Sequence, residues 1–317
     1  MIEIQCISLS EAINSTHLNE FLKESNNFTI FHLPKFLSYH NDKFLNQEKF
    51  LIWIENNQII AAMPYLLKDK VFLSPYGASY GGIVLKKNIK INLVEKIMET
   101  LFNFIKEKNI KKIIIGLVPN IYCDDIHEYL EFFFLQKNFS INNIDLTSYI
   151  TLNSNYEKKF STSCLKAIKK ATKNGITTKR SDDYDSFFKI LIDNRKLKNA
   201  IPTHSLNEIK SLTNLFQDKI YLFGAFYQEK MIAGSLLFEC NKKVILDFYW
   251  AHISEYQEYR PLNLLIRDML RNSKDNHFKY FDFGRQTNNM LINYGSSFFK
   301  ESFGANGCLV KKYEINL

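Results

Sequence analysis

The stretch Tyr280–Ala305, YFDFGRQTNNMLINYGSSFFKESFGA, indicates the fold and the position of a site more clearly than any other part of the chain. Its first residues alternate as a β-strand does, with Phe281 and Phe283 on one face and Asp282 on the other. A polar loop follows, and the motif FFKESFGA then sets a lysine and a glutamate between aromatic residues. An acid at a strand end, followed by charges held among aromatics, predicts the floor of a substrate cleft. The alternative is a hairpin with ordinary surface charges.

Working outward from this stretch, the two halves of the chain repeat one pattern. Phe50–Ile54 and Ile59–Leu67 are typical of two strands joined by a tight turn. The same pattern recurs at Ile220–Phe226 and Met231–Phe238, about 170 residues later. This spacing is too long for a solenoid repeat and indicates a duplicated domain.

Three further elements follow each hairpin in the same order: a strand, an amphipathic helix and a buried strand. Apolar residues recur with a helical period in both helices, and Pro261 suits the first turn of the second one. The matched pairs are Lys70–Ser74 with Lys243–Trp250, Ile91–Lys108 with Pro261–Ser273, and Lys112–Leu117 with Phe278–Phe283. We therefore predict an α/β (α+β) protein with two domains, residues 1–152 and 153–317. Each should have a mixed, mainly antiparallel sheet flanked by helices, with the site in the second domain.

Composition limits the partners and the compartment. The 317 residues carry a net charge of +8, which favours an anionic partner such as a nucleotide-linked substrate, a coenzyme, RNA or a membrane surface. The five cysteines are scattered without C-x-x-C spacing, as expected for reduced thiols, and no Cys/His cluster predicts a metal. The N-terminus does not resemble a signal peptide, and no apolar run is long enough to span a bilayer. We expect a cytoplasmic protein.

A lysine-rich helix is predicted between the two domains. Ser161 can cap this helix and Gly175 can end it. Lys166, Lys170 and Lys173 then fall on one polar face, where they form either a solvated surface or a contact for substrate phosphate.

Several short motifs, in order along nearly the whole chain, resemble the FemAB-like branch of the GNAT acyltransferase superfamily. They are SCLKAIKKATKNGI, QEKMIAGSLLFE, KYFDFG and FFKESFGA, together with PYGASYGG and LVPNIYCDD in the first half. The resemblance implies two GNAT-type domains in tandem. It also implies transfer of an acyl group to an amine, from acyl-CoA or, in the Fem branch, from aminoacyl-tRNA.

Such a transfer needs a base for the amine and a donor for the oxyanion, but no covalent enzyme intermediate. The candidate bases are carboxylates and histidines of the second half. They are Asp282, Glu301, Glu239, His204 and His252. By resemblance, Lys300 is expected to steady phosphate or developing negative charge, and His204 is expected to lie in the substrate cleft. Tyr249 is a candidate donor to the acyl carbonyl or the leaving group, although a packed aromatic is the alternative.

The donor side departs from the GNAT pattern. The segment Ser254–Pro261 should hold a glycine-rich loop that cradles pyrophosphate at a helix N-terminus, but it contains no glycine. Arg260, with Tyr259 and Trp250, is the candidate cofactor-binding group in its place.

Three functions remain open. The first is an N-acyltransferase, expected to use acetyl-CoA and to act on an amino-sugar, nucleotide-sugar or related glycan precursor of the cell envelope. The second is a Fem-type transferase that uses aminoacyl-tRNA to build peptidoglycan cross-bridges. The absence of sustained heptads, which would indicate a coiled-coil arm, favours the first. The third is a non-catalytic protein that binds nucleotide-sugar or RNA. DNA is not an expected partner.

Overall fold

A computed structural model describes residues 2–44, 47–197 and 199–317. The strands are β1 Ile2–Ser8, β2 Glu48–Glu55, β3 Gln58–Lys68, β4 Val71–Ser74, β5 Val84–Leu85, β6 Lys112–Gly116, β7 Ser140–Thr151, β8 Thr177–Ser181, β9 Ile220–Tyr227, β10 Lys230–Glu239, β11 Val244–His252, β12 Tyr280–Arg285, β13 Thr287–Asn288, β14 Leu291–Ile292 and β15 Asn306–Asn316. The α-helices are α1 Leu9–Asn14, α2 Thr16–Glu24, α3 Pro34–Leu37, α4 Ile91–Glu107, α5 Tyr129–Gln136, α6 Thr162–Lys173, α7 Tyr184–Lys196, α8 Leu206–Leu215, α9 Pro261–Asp275 and α10 Tyr294–Glu301.

The chain forms two compact units. Unit 1 contains the residues up to Asp145 together with Leu309–Leu317, and unit 2 contains Leu146–Cys308. The predicted boundary between residues 152 and 153 stays a prediction. The sequence pattern did not indicate that residues beyond unit 2 return to unit 1.

The sheet of unit 1 has the strand order β1-β2-β3-β4-β6-β15, and β5 pairs with β3. Strands β4 and β6 are parallel, and the other neighbours are antiparallel. Its core contains Trp53, Met63 and Phe72 from the sheet and the apolar stripe of α4. Burial of this stripe explains why the α4 sequence has a helical period.

The sheet of unit 2 has the order β7-β12-β11-β10-β9-β8 and repeats the same pairing pattern. Only β11 and β12 are parallel, as β4 and β6 are in unit 1. In the strand order of unit 2, β7 occupies the position that β15 occupies in unit 1. The predicted mixed, mainly antiparallel tandem fold is therefore confirmed.

Local sequence signals account for the helices α6 and α9 of unit 2. The Ser161 side chain accepts the N–H of Cys164 at the start of α6, and Gly175 adopts φ = 73° just beyond its end. Pro261 occupies the first turn of α9, whose buried residues include Leu265, Ile266 and Met269. These helices pack over the core of unit 2.

The segment after β12 is more ordered than the polar loop expected from its sequence. It forms the hairpin β13–β14, and the FFKE motif lies in α10. The Asn293 side chain begins this helix by accepting the N–H of Ser296. A helix of eight residues with Gly295 in its first turn has too few turns for a helical period to be recognised in the sequence.

Candidate active site

The site lies where two neighbouring strands of unit 2 leave regular pairing. The parallel pairing of β11 with β12 ends at Leu246 and Asp282. On the other edge of β11, Leu237 pairs with Asp247 whereas Leu236 pairs with Tyr249. The residue between, Phe248, is therefore the extra residue of a β-bulge.

Strand β12 is irregular at the same level. Its register with β7 shifts between Asp282 and Arg285, and Gly284 adopts φ = 71°. Such a backbone conformation favours glycine. Three charged side chains lie in the interior beside these irregularities.

Asp282, a predicted base, is fully buried. Its carboxylate accepts hydrogen bonds from the Thr147 hydroxyl and from the main-chain N–H of Gly284, the latter at 2.8 Å. These donors favour the ionised carboxylate. Asp282 thus holds the β12 bulge, and its charge opposes the lowering of the pKa of Lys300.

The second acid, Asp247, was not recognised as a site residue in the sequence. It is 1% exposed, and the Ser235 hydroxyl donates to its Oδ1 at 2.5 Å. Its Oδ2 has no hydrogen-bond partner among the described residues. Burial, assisted by the charge of Asp282, raises the pKa of Asp247 to about 7, against the hydrogen bond from Ser235 and the charge of Lys300. The available signal was a single acid inside the otherwise apolar run VILDFYW.

Lys300 brings a cation to the two acids. It is 1% exposed, and its Nζ donates to the carbonyl oxygens of Gly284 and Arg285, both at 2.8 Å. Burial lowers the pKa of Lys300 to about 8, and the charges of Asp282 and Asp247 oppose this shift. The ammonium group therefore remains mostly charged at neutral pH while it closes the β12 bulge.

Asp247, Asp282 and Lys300 form what we call the buried triad. Isolated charges are costly in a protein interior, and pKa values shifted toward neutrality concentrate at functional sites. The triad supplies a carboxylate that can take a proton near pH 7 beside a fixed cation. This arrangement suits acid–base chemistry on a neutral nucleophile.

Two other predicted residues are brought together beside the β11 bulge. The Tyr249 hydroxyl lies 3.0 Å from Nδ1 of His204 and accepts the main-chain N–H of Thr203 at 3.1 Å. Both side chains are buried, and the His204 ring packs edge-on against Phe248. The Tyr249 hydroxyl thus anchors the loop before α8.

The remaining candidate bases are less buried than the residues of the triad. Glu301 is exposed at the last residue of α10. Glu239 is half-buried, and burial raises its pKa against the charge of Arg180. The main-chain carbonyl of His252 accepts the Asn194 side chain at 3.1 Å.

The donor-side candidates surround the start of α9. The Trp250 ring stacks on Phe299 with centroids 5.5 Å apart, and Tyr259 packs against Tyr227 at 5.3 Å. Arg260 is exposed and adopts φ = 60° after a 3-10 helix. This 3-10 helix, Ser254–Tyr259, occupies the segment in which the GNAT pattern has a glycine-rich loop.

The first turn of α9 offers few donors to a phosphate. Pro261 has no N–H, and the N–H of Asn263 is bonded to the carbonyl of Arg260 at 3.1 Å. Elsewhere in the unit, Lys166, Lys170 and Lys173 are all exposed on α6, as the helical spacing predicted.

Within residues 2–44, 47–197 and 199–317, no group of three or more His, Cys, Asp or Glu is placed to hold a metal ion. In the same part of the chain, no helix combines the length and the apolarity needed to cross a membrane.

Comparison with known proteins identifies the domain type of unit 2 and relatives of the fold. Residues 158–301 match the family model described as an acetyltransferase (GNAT) domain. No curated protein matches the chain. The fold is similar to that of FemX, with 13% identity, coverage of 99% of this chain and 97% of FemX, and a TM-score of 0.72.

Two further solved structures share the fold. One is a tandem GNAT protein from the clavulanic acid biosynthesis pathway, at 8% identity, with 100% and 98% of the two chains covered and a TM-score of 0.56. The other is the C-terminal domain of a putative lysylphosphatidylglycerol synthetase from Agrobacterium fabrum, at 10% identity, with 98% and 93% covered and a TM-score of 0.62.

The matched domain and the shared fold indicate an acyltransferase built from two GNAT-type units. Residues 158–301 of the second unit form a GNAT domain, and the whole chain shares the fold of FemX. The expected superfamily and enzyme class are thereby confirmed.

Proposed function

We propose that the protein transfers an acyl group directly to an amine, with Asp247 as the general base. The observation that carries this proposal is the buried triad, in which a carboxylate with a pKa of about 7 lies beside a cation. The amine nitrogen forms a bond to the acyl carbon while Asp247 takes its proton. The bond from that carbon to the leaving group then breaks, and the proton passes to the leaving oxygen or sulfur.

The proposed roles of Lys300 and of the β11 bulge concern the tetrahedral intermediate. An oxyanion needs preorganised donors in a dry site. The main-chain N–H groups around Phe248 are candidate donors because this residue lies outside the regular β10–β11 pairing. Lys300 supports the same charge electrostatically while it stays bonded to two carbonyl groups.

For the donor, we favour an aminoacyl ester of tRNA. The first turn of α9 is poor in free N–H donors, so it is ill suited to the pyrophosphate of a CoA thioester. The exposed Lys166, Lys170 and Lys173 suit an extended polyanion better. Similarity to FemX over nearly the full length is consistent with this choice. The acceptor would be an amine of a peptidoglycan precursor, and the reaction would take place in the cytoplasm, where charged tRNA is found.

A second candidate is the acetyl-CoA-dependent acylation of an amino-sugar or nucleotide-sugar of the cell envelope. The match of residues 158–301 to an acetyltransferase domain favours it. Both candidates use the same triad and differ only in donor and acceptor. A purely binding role would leave the cost of three buried charges without a purpose.

The test supplies the purified protein with radiolabelled aminoacyl-tRNA or acetyl-CoA and a mixture of amine acceptors. Transfer from aminoacyl-tRNA alone supports the favoured donor, and transfer from acetyl-CoA alone replaces it with the second candidate. Asp247→Asn should lower kcat/KM by about 100-fold or more, because a positioned base contributes roughly that factor. The control Asp275→Asn changes an exposed acid at the end of α9. Equal kcat/KM values of Asp247→Asn and Asp275→Asn would show that Asp247 is not the general base.

A further inference from the structure

An uncharged segment with exposed apolar side chains separates the two parts of the triad. Gln286 to Phe299 contains no acidic or basic residue, and it joins the end of β12 to Lys300. Five of its large side chains are exposed: Met290 by 66%, Leu291 by 75%, Ile292 by 49%, Tyr294 by 62% and Phe298 by 64%. We call these five residues the apolar tip. Contiguous exposed apolar residues usually mark a surface that contacts something else.

The apolar tip has a defined shape. Strands β13 and β14 pair through Thr287 with Ile292 and Asn288 with Leu291. Asn289 and Met290 form the two-residue turn between them, with φ of 49° and 63°. The turn projects Met290 and Leu291 at the end of a narrow hairpin.

Helix α10 extends the same surface. Tyr294 and Phe298 are four residues apart, with ring centroids 5.9 Å from each other, and both rings are exposed. Ser297 and Lys300 of the same helix are buried. The helix therefore turns Ser297 and Lys300 inward and Tyr294 and Phe298 outward, while Phe299 packs against the core of unit 2.

The base of the hairpin is fastened to unit 2. The main-chain N–H of Leu146 donates to the Thr287 hydroxyl at 2.8 Å, and the Asn293 N–H donates to the carbonyl of Gln286 at 3.1 Å. The Ser148 hydroxyl donates to the Gln286 side chain at 2.5 Å. The apolar side chains are thus held outward by a fixed scaffold.

We propose that the apolar tip inserts into the interface of an anionic membrane. A narrow hairpin suits a soft medium better than it suits a flat protein interface of about 800 Å² per partner. Tyrosine and phenylalanine beside aliphatic residues match the boundary between headgroups and acyl chains.

The charge distribution supports the same partner. Residues 146–308 contain 24 Lys and Arg and 16 Asp and Glu, which equals the full net charge of +8. The residues of unit 1 contain 17 of each sign and are neutral. A cationic unit that exposes an uncharged apolar hairpin is attracted to anionic headgroups and can then bury the hairpin. Because α10 bears both Phe298 of the tip and Lys300, docking brings the proposed active site to the membrane surface, a consequence that rests on the proposed function.

The test measures co-sedimentation of the full chain with phosphatidylcholine vesicles, with and without about 30% phosphatidylglycerol. We expect binding to the anionic vesicles. Leu291→Asn should weaken it by about tenfold or more, because an exposed leucine gains most from burial. The control Ile201→Asn changes another side chain of unit 2, 86% exposed, and should leave binding unchanged.

Leu291→Trp provides an independent readout, since its emission should shift to shorter wavelength on the anionic vesicles. The proposal is overturned if the wild-type protein ignores both vesicle types, or if Leu291→Asn binds as the wild type does. Self-association that Leu291→Asn abolishes would instead assign the tip to a second copy of the chain. Vesicle binding needs no substrate, so a failed transfer assay with intact vesicle binding would count against the proposed function alone.

Discussion

The two buried acids of unit 2 differ in the donors that surround them. Asp282 accepts two hydrogen bonds, whereas Asp247 accepts one and keeps an oxygen without a partner in the described structure. The carboxylate with more donors holds the β12 bulge, and the other is suited to taking a proton. This division of roles between neighbouring carboxylates follows from their surroundings alone.

The pKa of Asp247 should depend on the hydroxyl group of Ser235. Its hydrogen bond favours the ionised form of Asp247, so Ser235→Ala is expected to raise the pKa of Asp247 further. Since the base must be deprotonated to act, activity falls as pH drops below this pKa. The acidic limb of the pH profile of kcat/KM should therefore move to higher pH in Ser235→Ala. An unmoved limb would show that Asp247 does not set it.

The pH dependence of the unfolding free energy should also depend on Asp247. An acid with a raised pKa in the folded state binds its proton more tightly folded than unfolded, so its contribution to stability falls as pH rises from about 4 to about 7. Above pH 7 the folded protein carries the full cost of the buried charge. Asp247→Asn should thus exceed the wild type in unfolding free energy at pH 8, by at most about 4 kcal/mol, and much less at pH 4.5. Urea unfolding at both pH values measures the difference; a pH-independent difference would contradict this assignment.

At the scale of elements, the sequence indicated the repeated parts well and the irregular parts poorly. The hairpins β2–β3 and β9–β10 and the helices α4 and α9 have strong periodicity, because each buries one face against a sheet. The β11 bulge and the β13–β14 hairpin depend on tertiary contacts, which leave no local period. Asp247 could not be recognised as a site residue in the sequence for the same reason. Only the β11 bulge and the neighbouring charges distinguish it from a buried structural acid.

The β12 bulge permits a matched pair of glycine substitutions. Gly284 and Gly175 have similar φ values of 71° and 73°, and neither added Cβ would meet a severe clash. Each change to alanine should therefore destabilise the protein by about 1–2 kcal/mol through backbone strain. Only Gly284→Ala should also reduce kcat/KM, because the Gly284 carbonyl holds Lys300. Equal kcat/KM values of the two variants at matched folded fractions would show that the β12 bulge does not contribute to catalysis.

At the scale of the whole molecule, all of the net positive charge belongs to one unit. If the donor is tRNA, its phosphates should respond to the exposed lysines of α6. Reversing Lys166, Lys170 and Lys173 to glutamate should weaken tRNA binding and reduce the slope of log Kd against log salt by about 2–3. The control reverses Lys96, Lys106 and Lys108, which are exposed in unit 1. Binding that both triple variants lose equally would indicate a non-specific charge effect.

The strand β15 has a consequence for the order in which the protein is made. Its residues Lys312–Asn316 pair with β6 and complete the sheet of unit 1, although they follow all of unit 2 in the chain. Domains usually fold as they leave the ribosome, the N-terminal one first. Here unit 2 can fold as soon as it has left the ribosome. Unit 1 keeps an open sheet edge at β6 until residues 309–317, which follow unit 2, have been translated. The part of the protein that is synthesised first is therefore the part that is finished last.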